Sequence, residues 1–310
     1  MDTRPLVLLI AIGASCAAAA AAAPRLVTED LDRFWAVWDA TNGKPDATAL
    51  QKGYFDPGSP GLEDFLELRI GSAEALAKLI AAYPDYYAGL RRSTDALPAV
   101  AVEVRAALAR MHALYPKAKL PPVYFLIGAM NSGGTTSDAG LLIGLDMYGK
   151  HPDTDLAKFG AWHRSVLAGP ELLPAIVVHE LVHTLQRPPR GTPSLLEGAL
   201  REGIADLLTE RAHGAHINQA AHTWGRAHEC ALWQEFVPRM AGEEYQGFLY
   251  GGQAADRPAD LGYFIGYRIG EAYLAARRGQ GSEAKAIAAL IEIRDARVVL
   301  EASGYAPCLP

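Results

Sequence analysis

Cysteine is scarce in this chain: there are three in 310 residues, at positions 16, 230 and 308, and none belongs to a C-x-x-C pair. A cysteine-ligated zinc site is therefore excluded. Basic clusters are missing as well. The formal net charge is −6 with no stretch of concentrated Lys and Arg, which argues against nucleic acid as a partner. Phosphate-cradle chemistry fails too: the glycine-rich stretch 131–138 (N-S-G-G-T-T-S-D) is followed by no helical pattern and carries no Lys. What is present is apolar material. Half of the residues are hydrophobic and 21% are charged, so the chain is not of disordered composition and buries a sizeable core.

Residues 1–23 read as a secretory signal. Arg4 gives the positive start, residues 6–12 the apolar core, and the alanine run 17–23 offers A-x-A cleavage sites before Pro24. The run is too short and alanine-rich for a convincing membrane span, leaving any membrane attachment to the N-terminus alone. Cys16 would be a lipidation site if a lipobox preceded it, but Gly13 stands where Leu is wanted. Cleavage and export to the periplasm or the medium is the preferred reading, with residues 24–310 forming one domain. Cys230 and Cys308 then remain. In an oxidising compartment they either pair or stay as one buried and one loose thiol.

The chemistry concentrates in residues 177–186, V-V-H-E-L-V-H-T-L-Q. On a helix, His179 and His183 project from one face a turn apart, so that both ring nitrogens reach one ion. Glu180 lies beside them, close enough to act on a metal-activated water without ligating the metal. Pro174 suits the first turn and Pro188-Pro189 the end. The flanking Ile, Val and Leu residues make the helix apolar nearly all round and hence buried.

A turn-rich loop leads to Ser194-Leu195-Leu196-Glu197, a capping box opening a second helix. Glu202 follows on that helix, and Asp206 stands one turn beyond it on the same face, placed to accept the second N–H of a metal-bound histidine. Glu197 serves the cap. This resembles the gluzincin metallopeptidases, in which H-E-x-x-H on one helix is completed by a Glu from the next in an E-x-x-x-D pattern. The alternative H-E-x-x-H-x-x-G-x-x-H is not met, because Gln186 and Pro189 occupy its Gly and His positions. The resemblance implies an α+β, mostly helical, zincin-like fold. A small antiparallel or mixed sheet would pack on the motif helix and on the helix carrying the Glu ligand.

Upstream, helical periodicity covers residues 31–38, 62–69, 72–81 and 96–115, with a turn-rich connector at 52–61. Residues 121–128 and 141–147 read as strands, joined by 131–138 as a hairpin turn. By resemblance to zinc peptidases, 140–147 is the edge that pairs with extended substrate. Residues 149–170 read as a loop whose His151, Asp153, Asp155 and His163 are solvated. His213, His216 and His222 show no spacing matched to the first pair and stand as reserve ligands to Glu202. Tyr263, Tyr267 and His228 are candidates for stabilising an oxyanion, or else are two core tyrosines and a surface histidine. A last helix covers 283–293.

The stretches 125–138, 176–183, 202–206 (E-G-I-A-D) and 258–267 (P-A-D-L-G-Y-F-I-G-Y) also resemble a family of bacterial predicted zinc-dependent proteases related to gliding-motility lipoproteins. These readings converge on an exported peptidase. His179, His183 and Glu202 would hold Zn2+, Glu180 would act as general base, and the substrate would be a peptide or protein. A non-catalytic envelope module keeping the same fold is the alternative.

Overall fold

The structure, a computed structural model, describes residues 24–251 and 257–308. The signal reading of residues 1–23, with Cys16, lies outside the described residues. No helix among the described residues is long and apolar enough to cross a membrane. The fold is α+β and mostly helical, with one mixed four-stranded sheet.

The sheet runs β1 (Leu26–Val27), β2 (Val123–Leu126), β4 (Leu141–Gly144) and β3 (Gly134–Thr136) in spatial order. β2 pairs in parallel with both β1 and β4, and β3 runs antiparallel to β4, with Thr135 opposite Leu142. Two expectations are corrected here. Residues 131–138 are not merely a turn, since they contain β3. Nor is 140–147 a free edge, because β4 is sandwiched between β2 and β3 and wholly buried. A strand buried on both faces reads as an unbroken apolar run, which is what L-L-I-G is; β3, at one edge of the sheet, is the polar one.

The motif helix (Leu173–Leu185) packs on β3 and β4 on one side, on the long helix Pro84–Leu114 on another, and on the ligand helix (Leu195–His213) on a third. Its residues from Leu173 to Val182 are all buried. The long helix begins a dozen residues earlier than periodicity indicates. Pro98 sits inside it on an exposed face, removing one N–H while Leu90, Leu97, Val104 and Leu108 anchor both halves in the core. The 52–61 connector contains a π-turn (Gln51–Phe55), and the 149–170 loop a short helix (Ala161–Val166).

The ligand helix opens with the capping box formed in both directions between Ser194 and Glu197. It lies against the backing helix Leu261–Ala276 in backbone contact. A Cβ added to Gly266 would stand 1.7 Å from the Ala199 carbonyl oxygen, and one on Gly203 would stand 2.1 Å from the Tyr267 nitrogen. Only glycine permits that approach at either point.

Behind β2, the buried Asp146 carboxylate accepts the backbone N–H groups of Gly128 and Met130 at 2.7 and 2.6 Å, fixing the loop that leads into β3. Burial pushes its carboxyl up to about 6, against the pull of those two bonds. Cys230 and Cys308 form a disulfide, which decides between the two readings of that pair.

Candidate metal centre

Helical spacing carries His179 and His183 to one face of the motif helix, and packing brings Glu202 of the ligand helix opposite them. The two Nε2 atoms are 3.0 Å apart. Glu202 Oε2 lies 3.1 Å from His183 Nε2 and 3.4 Å from His179 Nε2. For donors about 2.0–2.1 Å from a tetrahedral ion, the donor–donor edge is roughly 3.3 Å. The observed triangle has that size.

The outer hydrogen bonds decide which way the rings present themselves. His179 Nδ1 donates to Asp206 Oδ1 at 3.0 Å. His183 Nδ1 donates to Gln186 Oε1 at 2.9 Å, while the Gln186 amide donates in turn to the Arg201 carbonyl at 2.7 Å. Each ring therefore turns an Nε2 lone pair inward. Two lone pairs and a carboxylate oxygen converge with no donor between them, in a setting where His179 is 3% exposed and Glu202 6%. The three acceptors could hold one cation between them, and two nitrogens with one oxygen is a donor set that suits zinc.

The electrostatics agree. Burial alone would lower the basicity of His179, but the carboxylates of Asp206 and Glu202 outweigh it and raise the imidazolium to about 10. For both carboxyls burial acts upward and is overcome by the histidines, chiefly His183 and His179 for Glu202, and His179 and His222 for Asp206. Each is held well below the usual carboxylate range. Without a metal, the pocket draws in a proton as a substitute positive charge.

The triangle opens on a cleft of about 680 Å³ that is also lined by Glu180, Tyr263, Trp162, Arg201 and residues 133–136 of the β3 region. Glu180 presses against the bare Cα of Gly134, where a Cβ would meet its Cγ at 2.6 Å. No side chain among the described residues hydrogen-bonds its carboxylate. Tyr263 stacks parallel to the His179 ring at 6.2 Å, and burial drives its hydroxyl well above the ordinary range for tyrosine.

Of the residues singled out in the sequence, the structure brings together His179, Glu180, His183, Glu202, Asp206 and Tyr263. It does not bring Tyr267 or His228 to the cleft. The Tyr267 hydroxyl donates to Glu210 and its ring packs on His222. His228 is exposed, stacked on Trp224 and bonded to the Trp224 carbonyl. Both expectations are corrected, and the reason is local: one turn of the backing helix separates Tyr263 from Tyr267, and that turn carries the second hydroxyl along the ligand helix to Glu210. Sequence reasoning missed Gln186 and Tyr250. Gln186 was noted only for not being Gly. Tyr250 donates to Glu202 Oε1 at 3.3 Å, from a loop 48 residues away whose approach no local pattern announces.

Neither a curated protein nor a solved structure matches the chain. Residues 166–291, from the end of the short helix ahead of the motif through the backing helix and beyond, match a protein family described as predicted Zn-dependent protease (DUF2268), and that span holds every converging donor as well as Glu180 and Tyr263.

Proposed function

We propose that this protein is an exported zinc-dependent peptidase of one zincin-like domain, with His179, His183 and Glu202 as metal ligands. The observation that carries the reading is the convergence of three inward-facing acceptors next to a carboxylate that ligates nothing. A purely structural ion would have no use for Glu180 in that place. Zinc bound there supplies a Lewis acid that acidifies a water and polarises a carbonyl. The chain's own residues do the rest. Asp206 and Gln186 hold the imidazoles in the ligating tautomer. Glu180, at the cleft wall, takes a proton from the attacking water and delivers it to the leaving amine. Tyr263 offers its hydroxyl to the developing oxyanion.

β3 supports the peptide part of the proposal. It is the edge strand on the cleft side of the sheet and runs beside Glu180, where an extended chain could add to it. Arg69 steadies it by donating to Thr135 Oγ1 at 2.8 Å. Export is supported by the Cys230–Cys308 bridge, which suits an oxidising compartment, and by the composition of residues 1–23.

The test is digestion of a peptide library by three preparations: the zinc-loaded chain, the chelated chain, and Glu180→Gln. Cleavage is expected only from the first, with zinc content unchanged in Glu180→Gln. If Glu180→Gln cleaves as well as the parent, its role as base is lost. If the zinc-loaded parent cleaves nothing, the chain is a binding module that keeps the fold.

A further inference from the structure

On the far side of Asp206 lies a second group of ligand-type side chains that the peptidase reading does not use. Asp206 gives Oδ1 to His179; its other oxygen, Oδ2, faces His222 Nε2 at 3.2 Å and accepts the Asn218 amide at 2.8 Å. His216 stacks on His222 with ring centroids 3.8 Å apart. All three side chains are buried: Asp206 is 0% exposed, His222 1% and His216 5%. One donor atom from each lies within 4.8 Å of the other two.

Two of these groups are also incomplete. Among the described residues, the buried side-chain polar atoms lacking any hydrogen-bond partner are His216 Nδ1, His222 Nδ1 and Thr209 Oγ1. A buried polar group left unpaired is costly, and here two such ring nitrogens sit in adjoining rings. Two buried imidazoles beside a carboxylate are the donor chemistry of a divalent transition metal.

We propose that Asp206, His216 and His222 form a second metal site, zinc by its donor set, joined to the first through the two oxygens of Asp206. The cluster stands behind residues 217–221, which line the cleft. A metal there would tie the turn after the ligand helix to Asp206 and set the position of that cleft wall. Its role is positional, since none of the three residues lines the cleft.

The full-length chain is stripped with chelator, dialysed against zinc and assayed for metal per chain, as are His183→Ala, His216→Gln and His222→Gln. Two equivalents are expected for the parent and one for each variant. One equivalent in the parent that His216→Gln leaves unchanged would overturn the second site. Should the first site instead be the one that fails, His183→Ala would match the parent while His216→Gln still lost an equivalent. Cobalt(II) added to the His183→Ala chain covers the case of a histidine variant that does not fold. A visible absorption band from nitrogen ligation is expected there, and its absence would overturn the proposal.

Discussion

Asp206 and His179 are bonded carboxylate to imidazole at 3.0 Å, both almost wholly excluded from solvent. That bond selects which nitrogen of His179 faces Glu202, so the proposed three-donor set depends on a residue that is not one of its donors. Asp206→Asn keeps the shape but weakens the acceptor and admits the wrong tautomer. Zinc affinity at the three-donor site is expected to fall about 10–100-fold, measured by competition with a chromophoric chelator. Unchanged affinity would refute the orienting role.

Tyr263 and Tyr267 of the backing helix separate cleanly by position. Tyr263→Phe removes a hydroxyl that faces the cleft, and kcat is expected to drop by about 10²–10³ with KM little changed. Tyr267→Phe should leave kcat within about twofold. It should instead lower stability by about 1–3 kcal/mol, because Glu210 loses its hydrogen-bond donor. Steady-state kinetics on any cleaved peptide, with thermal melts of both variants, distinguishes the pair. Equal kinetic effects would contradict the placement.

Zinc and protons compete for the same ring. In the metal-free chain the His179 imidazolium titrates at about 10, above its ordinary 6.5. Because the folded value is the higher one, this contribution to stability is complete below about pH 6.5 and is lost as pH rises toward 10. Zinc requires the neutral ring, so the gain in Tm that it confers should grow from pH 6 to pH 9. Melts with zinc and with chelator across that range check the sign; a gain that shrinks with rising pH would count against His179 as a ligand.

The contact between the ligand and backing helices leaves no room for a methyl group. Gly266→Ala sets a Cβ against a backbone carbonyl, which cannot rotate away, and a loss of about 3 kcal/mol is expected. Gly89→Ala is the control. Gly89 lies in the long helix with nothing within 4 Å of the added Cβ, so a gain of about 0.5–1 kcal/mol is expected. Denaturant melts of both variants should move in opposite directions.

Much of the centre was legible because its information is local. His179 and His183 are related by helical spacing, the start of the ligand helix is marked by its capping box, and Glu202 and Asp206 share a face by the same arithmetic. Where partners come from far along the chain, local pattern failed. β3 has the composition of a turn and is a strand because β4 lies alongside it. Periodicity alone could not say whether Tyr263 or Tyr267 meets the cleft, since a turn of helix looks alike from either end. The reserve histidines 216 and 222 show no spacing matched to the first pair, yet the fold sets them against Asp206 from outside the ligand helix.

The absence of side chains at positions 203 and 266 reaches beyond stability. It fuses the scaffold bearing Glu202 and Asp206 to the one bearing Tyr263, so those three groups shift together or not at all. Any widening to admit a bulky polypeptide is therefore expected from the bank around Trp162 and not between these two helices. Admission of substrate would then leave the metal-holding side undisturbed.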